Sequence, residues 1–521
     1  GDDPVIIKTC QLEPVRPWTI YLVQHTHTDI GYTRPQSEIL PEHLRFIDYA
    51  LDYCDLTDNY PDDAKFRWTC ESAWAVEQYL LKRPENKIKR LLKRIEEGRI
   101  EVTGMLFNMS EIADETSLKN LLKPLSLFHD HGIEVQTAMQ DDVNGIGWCM
   151  ADYFPDAGVK YLIMGEHGHR ALIPFDKPTS FWWQSPSGKK MLAFRGEHYM
   201  HGNALLLHTG DVDNFKSNLL NYLSKLEEKD YPFNHLALQY SGYVTDNSPP
   251  ALTPNKVIKE WNEQYEWPRL RSATASEFME YIDAHHSDEL PTFQKAWPDW
   301  WTDGFGSAAR ETAAIREAQT DMNVTTGLLA MSAAFGEELN PRIHTEIDQI
   351  YRNILFYDEH TFGAAESISN PYAENSMVQW AEKSSYAWEA LKQSRILREE
   401  AFGLLQEHIP RFSDPSITVF NTLNQKRSGL VEVYIDHEIV DPGSAFSINY
   451  PDGNPVQVQS MSSRSDGTYW ILWVEDVPSM GYKSLIIKSQ EGNKVSKKIE
   501  QFPGTFENNY WSVTLDPETG G

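Results

Sequence analysis

No apolar run in the 521-residue chain approaches the roughly 20 residues that a membrane-crossing helix needs. Cysteine is scarce: Cys10, Cys54, Cys70 and Cys149 are scattered, with no CxxC pair. That excludes a disulfide framework and a structural zinc knuckle, and each cysteine reads as a small buried apolar residue. Positive charge is also in deficit. With 47 Lys and Arg against 76 Asp and Glu, the formal charge is −29, which repels nucleic acid and anionic lipid. No nucleic-acid partner and no membrane partner are expected, while neutral or cationic substrates stay open. There is no internal repeat and no low-complexity tract, and any export signal is expected to have been removed already. Gly1-Asp2-Asp3-Pro4 reads as a tag scar or a mature N-terminus.

What is present is a globular composition, 40% hydrophobic and 24% charged, in a chain too long for one core. From about residue 17 to 290, short apolar runs alternate with helical periodicity, the pattern of a parallel sheet with crossover helices. The expected strands are Thr19–Gln24, Phe66–Thr69, Ile100–Gly104, Val135–Gln140, Tyr161–Met164 and Leu236–Tyr240. The helices include Ile88–Glu97, ending at Gly98, and Phe215–Lys229. Residues 308–339, 342–357 and 376–408 read as a three-helix array. After Pro410, strand-like alternation takes over at 417–420, 430–434, 469–474 and 484–487. The fold class is therefore α/β, in three parts: an α/β catalytic domain over 17–306, a helical domain over 307–411 and a β-rich domain over 414–521. The turn-like stretch 516–521 suggests that the last of these is incomplete.

Ligands of such folds gather where strands end, and four polar clusters fall there or at a helix end. Trp18-Thr19-Ile20-Tyr21-Leu22 runs into His25-Thr26-His27-Thr28-Asp29-Ile30-Gly31. In extended chain, His27 and Asp29 point the same way, with His25 a further candidate. Nitrogen and hard oxygen on one divalent ion suit zinc; the alternative is a polar strand-end cluster. Asp141-Asp142 ends another strand, and only one of these neighbours can face the side of His27. Trp297-Pro298-Asp299-Trp300-Trp301-Thr302-Asp303-Gly304 sets two acids among three indoles, which suits sugar stacking and a raised carboxyl pKa, or equally a packed domain junction. Finally, Tyr357-Asp358-Glu359-His360 closes a helix, where a histidine is a cap or a ligand.

These motifs, in this order, resemble the glycoside hydrolase family 38 α-mannosidases. The family's His-x-His-x-Asp-x-Gly-aromatic motif is matched by His25–Tyr32, and its Phe-x-Trp-x-x-Glu by Phe66–Glu71. Its Gly-x-Ile-Glu-x-x-Gly strand and following acidic turn are matched by Gly98–Gly104 and Ser110–Glu115. The family nucleophile lies three residues before a glycine, which selects Asp142 before Gly145. Its general acid lies five residues before a Gly-aromatic pair, which selects Asp299 before Gly304-Phe305, with Asp303 in reserve. The resemblance implies a (β/α)-barrel-like catalytic domain, a three-helix domain and the start of a β-sandwich region. It also implies one zinc ion held by His27, Asp29, Asp142 and His360. Substrate contacts are expected from Glu71, Asp246, Trp300, Trp301 and Asp303. The chain departs from the family in three places: Val143-Asn144-Gly145-Ile146 replaces Pro-Phe-Gly-His, Thr361 follows His360 where the family has Asp, and Glu166-His167 stands near a usual Arg.

The expected activity is that of a zinc-dependent retaining α-glycosidase, exo-acting and α-mannosidase-like, on oligosaccharides or glycans. The alternatives are a metal-dependent amidohydrolase or carbohydrate deacetylase, which would press His167, His169, His198 and His201 into service, and a non-catalytic sugar-binding relative. A carbohydrate substrate, homo-oligomerisation and a secreted or periplasmic location complete the expectations.

Overall fold

The computed structural model describes residues 15–110, 112–168, 172–489, 504–516 and 518–520. Cys10, Glu111 and His169 lie outside them, as do Gly1–Pro4, Pro517 and Gly521. Two compact units emerge: residues up to Met322 together with Pro341–Ile396, and Asn323–Asn340 together with residues from Leu397 onward.

Ten strands belong to the first unit: β1 Thr19–His25, β2 Trp68–Cys70, β3 Ile100–Val102, β4 Thr137–Asp142, β5 Tyr161–Glu166, β6 Thr179–Gln184, β7 Lys190–Arg195, β8 His235–Ser241, β9 Arg269–Ala273 and β10 Thr292–Phe293. Hydrogen bonds join them as three ladders rather than one closed ring, in the orders β8-β1-β9, β2-β3 and β10-β6-β7-β5-β4. All six expected strands are present within a few residues. β1 is central and parallel to both neighbours, with Leu22 opposite Leu238 and Ser272. A strand covered on both faces has no solvent side, which is why its sequence is a continuous apolar run instead of an alternation.

Crossover helices cover the sheets. Helix Val212–Glu228 buries Phe215, Leu219, Leu223 and Leu226, a stripe of helical period, and Asp211 caps it by accepting from the Asn214 N–H at 3.0 Å. The β6–β7 hairpin was not expected from the sequence. It is antiparallel, and its turn closes through Ser185 N–H to Lys189 O at 2.9 Å.

Three long helices follow, Ala309–Ala334, Arg342–Asp358 and Glu374–Leu405, as the Ala-, Glu- and Leu-rich stretches foretold. In the second unit, among the described residues, a short antiparallel hairpin of Thr505–Glu507 and Ser512–Thr514 forms, together with two three-stranded antiparallel sheets. One pairs Gly481–Ser489 with Ser416–Asn421 and Phe446–Asn449; the other pairs Gly467–Val477 with Arg427–Asp436 and Gln457–Ser463. Their inner faces share a core that includes Ile435, Ile448, Leu472, Val474 and Leu485. Among the described residues no helix is long and apolar enough to cross a membrane.

Candidate metal centre and its cavity

The ends of β1 and β4 and the end of helix Arg342–Asp358 meet at one buried point. β1 delivers His25, and the chain then runs on through His27 and Asp29. Asn247 pins this segment, donating its N–H to His27 O at 2.9 Å and accepting the Asp29 N–H at 3.2 Å. β4 ends on Asp142, whose φ of +72° is the left-handed conformation that a non-glycine residue adopts only at a cost of about 1–2 kcal/mol. That twist turns Asp142 away from the regular alternation. His360 follows the helix, held by its N–H to Asn108 O at 3.1 Å.

Asp29 Oδ1 lies 3.3 Å from His27 Nε2 and 3.1 Å from His360 Nε2, and Asp142 Oδ2 lies 3.5 Å from His360 Nε2. Both Nε2 atoms are buried and make no hydrogen bond of sound geometry. Zinc bonds of about 2.0–2.1 Å arranged tetrahedrally place ligand atoms about 3.3–3.4 Å apart. The spacing of His27, Asp29 and His360 fits three ligands of a divalent site, and Asp142 stands beside the third of them. Each imidazole also meets a carboxylate through its other nitrogen, His27 Nδ1 at 3.0 Å from Glu71 Oε1 and His360 Nδ1 at 2.7 Å from Glu359 Oε1. That arrangement aims a histidine at a metal. Lys383, buried beneath, lies 3.3 Å from Glu359 Oε2 and donates to the carbonyls of Phe356 and Glu359 at 3.0 and 2.9 Å.

Burial works against ionisation of Asp29 and Asp142, yet the neighbouring imidazoles outweigh it and hold both below the usual carboxylate range. The opposite holds one step away. Burial pushes Asp246 up to about 6, with repulsion from Asp29 adding to it. It pushes Glu166 up to about 8, only partly offset by Arg195 and by the Trp297 indole N–H, which donates at 3.0 Å. These are carboxyls that keep a proton well above the normal range.

A cavity of about 590 Å³ opens over the cluster, and Asp29, Asp142, His360, His167, Tyr199, Asp246, Trp301 and Asp303 line it. The expected residues separate on this test. His27, Asp29, Asp142 and His360 come together, and Asp246, Trp301 and Asp303 face the same space. Trp300 instead lines a second, apolar groove with Phe175, Phe181 and Trp297; the chain turns here, with Thr302 N–H bonded to Trp300 O at 2.9 Å. Glu71 is buried behind His27, where its carboxylate also accepts from Asn108 Nδ2 and the Thr28 N–H, so it does not reach the cavity. Asp299 accepts the Trp301 N–H at 2.9 Å. Its loop is locked to the turn after Asp142 by Ile146 N–H to Trp297 O at 2.8 Å.

Three further residues stand in the site: Tyr199, which sequence reasoning did not name, and His167 and Thr361, which it named only as departures or for the alternative activity. Tyr199 lies against the His27 ring at 4.2 Å and donates to Asp246 at 3.0 Å. His167 meets His198 edge-on at 4.5 Å, and Thr361 Oγ1 sits 3.1 Å from Asp29 Oδ1. For Tyr199 no periodic signal existed, since it lies in an irregular stretch after β7. Burial drives the His198 imidazole down to about 3, and His167 adds to the effect, so His198 stays neutral. Of the four histidines that an amidohydrolase would need, His167 lines the cavity, whereas His201 packs on Tyr222 at 4.5 Å.

Comparison with known proteins gives the family. No curated protein matches the chain. An alpha-mannosidase from Enterococcus faecalis superposes with a TM-score of 0.68 at 16% identity, covering 96% of this chain and 60% of that one. A protein in the glycosyl hydrolase family 38 from the same organism gives 0.62 at 15%, covering 98% and 60%. The chain thus spans about 60% of the length of these two structures, and at such identities the likeness is one of fold. The model of the glycosyl hydrolases family 38 N-terminal domain matches residues 17–296, more than half of the chain. The α/β unit and its buried His/Asp/Glu cluster are those of a family member: the chain belongs to glycoside hydrolase family 38.

Proposed function

We propose that the chain carries the catalytic site of a zinc-dependent retaining α-glycosidase, exo-acting and α-mannosidase-like, that removes terminal sugars from oligosaccharides or glycans. The observation that carries this reading is the meeting of His27, Asp29, Asp142 and His360 beneath an open cavity. These four would hold the zinc, which when bound supplies Lewis-acid attraction for two adjacent hydroxyls, a geometry that favours a cis-diol such as that of mannose.

The protein's own groups do the rest. Asp142, kept ionised by its imidazole neighbours, attacks the anomeric carbon. Asp299 gives its proton to the leaving oxygen and then takes one from water, which releases the sugar from Asp142. Two carboxyls in those roles stand about 5 to 5.5 Å apart. Trp301 packs against the apolar face of the ring, while Asp246 and Tyr199 offer polar atoms to its hydroxyls. Asp303, on the cavity rim, is the reserve acid.

The test is a panel of aryl α- and β-glycosides and acetylated sugars, with and without chelator. An α-glycoside should be cleaved with retention of anomeric configuration, lost on chelation and restored by zinc. Asp142→Ala should abolish turnover, with its metal content measured beside the activity so that loss of the nucleophile and loss of a ligand are told apart. Release of acetate with intact glycosides would favour the deacetylase. Sugar binding without turnover, unaffected by Asp299→Asn, would favour a non-catalytic relative.

A further inference from the structure

Among the described residues two buried groups have metal-like spacing: His27, Asp29 and His360, and, directly behind them, His25, Glu71 and Asp141. They differ in one respect. In the first group, Nε2 of His27 and both ring nitrogens of His360 make no hydrogen bond of sound geometry. In the second, every side-chain polar atom has one. His25 Nε2 donates to Tyr199 O at 2.9 Å, and its Nδ1 lies 2.5 Å from Glu71 Oε2 and 3.6 Å from Asp141 Oδ2. Asp141 accepts from Gly165 N–H at 2.8 Å and from Gln239 Nε2 at 2.9 Å. Glu71 Oε1 accepts from His27 Nδ1 at 3.0 Å, Thr28 N–H at 3.1 Å and Asn108 Nδ2 at 2.5 Å.

The packing leaves no slack. A Cβ on Gly165 would lie 2.7 Å from Gln239 Oε1 and 2.8 Å from Asp141 Oδ1, so the glycine is what lets three strand ends close on these groups. A buried polar network that is fully satisfied fixes geometry. Both nitrogens of His25 face acceptors, so both carry hydrogen, and a histidine donating from both nitrogens has no lone pair for a cation.

We infer that Gln239, Asp141, His25 and Glu71 form a positioning relay, not a second metal site. The relay holds Glu71 so that His27 donates from Nδ1 and presents Nε2 to the ion. The first histidine of the His-x-His pair thus acts through Glu71 and is not a ligand. The inference rests on the proposed function only in taking His27 as a ligand. Glu71→Gln should break the relay. An amide has one acceptor oxygen, and its NH2 would face a donor at His25 or His27.

The experiment is titration of the chelator-stripped protein with Co²⁺, read by visible absorption, with Zn²⁺ affinity measured by competition. The wild type should take up one equivalent. Glu71→Gln should bind one equivalent about 10- to 100-fold more weakly, with altered cobalt bands. Gln239→Ala, more remote and kept in case Glu71→Gln fails to fold, should shift affinity in the same direction by less. Two equivalents in the wild type, falling to one in Glu71→Gln, would overturn the relay, and so would unchanged affinity and bands in both variants. A wild type that takes up no cobalt would refute the metal reading and the relay together. One-equivalent binding without glycosidase turnover would refute only the activity.

Discussion

Replacing Gly145 by alanine should separate the two proposed catalytic carboxylates without altering either. A Cβ there would lie 2.3 Å from Trp297 O and 2.3 Å from the carbonyl carbon of Pro298, both backbone atoms. Ordinary contact begins at 3.4 Å, so the loop leading to Asp299 must retreat by about 1.1 Å (3.4 − 2.3). The retreat breaks the 2.8 Å Ile146–Trp297 hydrogen bond, worth about 1 kcal/mol, and overpacking adds about 1–3 kcal/mol. A catalytic group misplaced by about 1 Å costs on the order of 100-fold in rate. His27, Asp29 and His360 come from other loops, so the metal load should stay at the wild-type level. The assay is kcat on an α-linked disaccharide and on a dinitrophenyl α-glycoside, whose leaving group needs no proton, beside metal content and Tm. The disaccharide should lose about 100-fold and the activated substrate clearly less. Wild-type kcat on the disaccharide, or equal loss on both substrates together with loss of metal, would refute the reasoning.

Lys383→Met should cost about 3–5 kcal/mol, because it strands the buried Glu359 charge and the two carbonyls that the ammonium serves; a Tm within a degree or two of wild type would contradict this. Glu166 keeps its proton to about pH 8 in the fold, against 4.5 when unfolded. The unfolded chain therefore releases it first, and stability falls by about 1.4 kcal/mol per pH unit across that window. Glu166→Gln cannot titrate, so its Tm should gain on the wild type as pH rises from about 5 to 8 and then level off; a constant difference would count against burial as the cause. Trp301→Ala should raise KM about 3- to 10-fold by removing a ring face, whereas Trp300→Ala, in the separate groove, should leave KM unchanged on a monosaccharide glycoside.

Much of the site was legible because strand ends and glycines carry their own signals. The i, i+2 spacing of His27 and Asp29 needs only an extended segment to bring them together, whereas Asp142 was preferred to Asp141 only through the family resemblance. Its φ of +72° was not readable, since aspartate adopts that conformation only when the surroundings impose it. Glu71 was expected against the substrate because it follows a strand and carries charge. Which side of His27 it takes depends on β2 pairing with β3 while packing beside β1 without joining its ladder, and no local pattern encodes that. Trp300 and Trp301 line different spaces because the chain turns at 300–302, where Thr302 N–H meets Trp300 O at 2.9 Å. The β6–β7 hairpin went unseen because Thr179–Gln184 and Lys190–Arg195 are flanked by irregular chain and pair with one another before joining the parallel strands. The long helices, with composition and length both speaking, were read to within about five residues at each end.

The most direct measurement is anomalous scattering at the zinc edge from crystals grown with zinc. One peak should lie between His27 Nε2, Asp29, Asp142 and His360 Nε2, about 2.0–2.2 Å from each ligand atom. A peak among His25, Glu71 and Asp141 instead, or none at the β1 and β4 ends, would contradict the metal centre and the chemistry built on it.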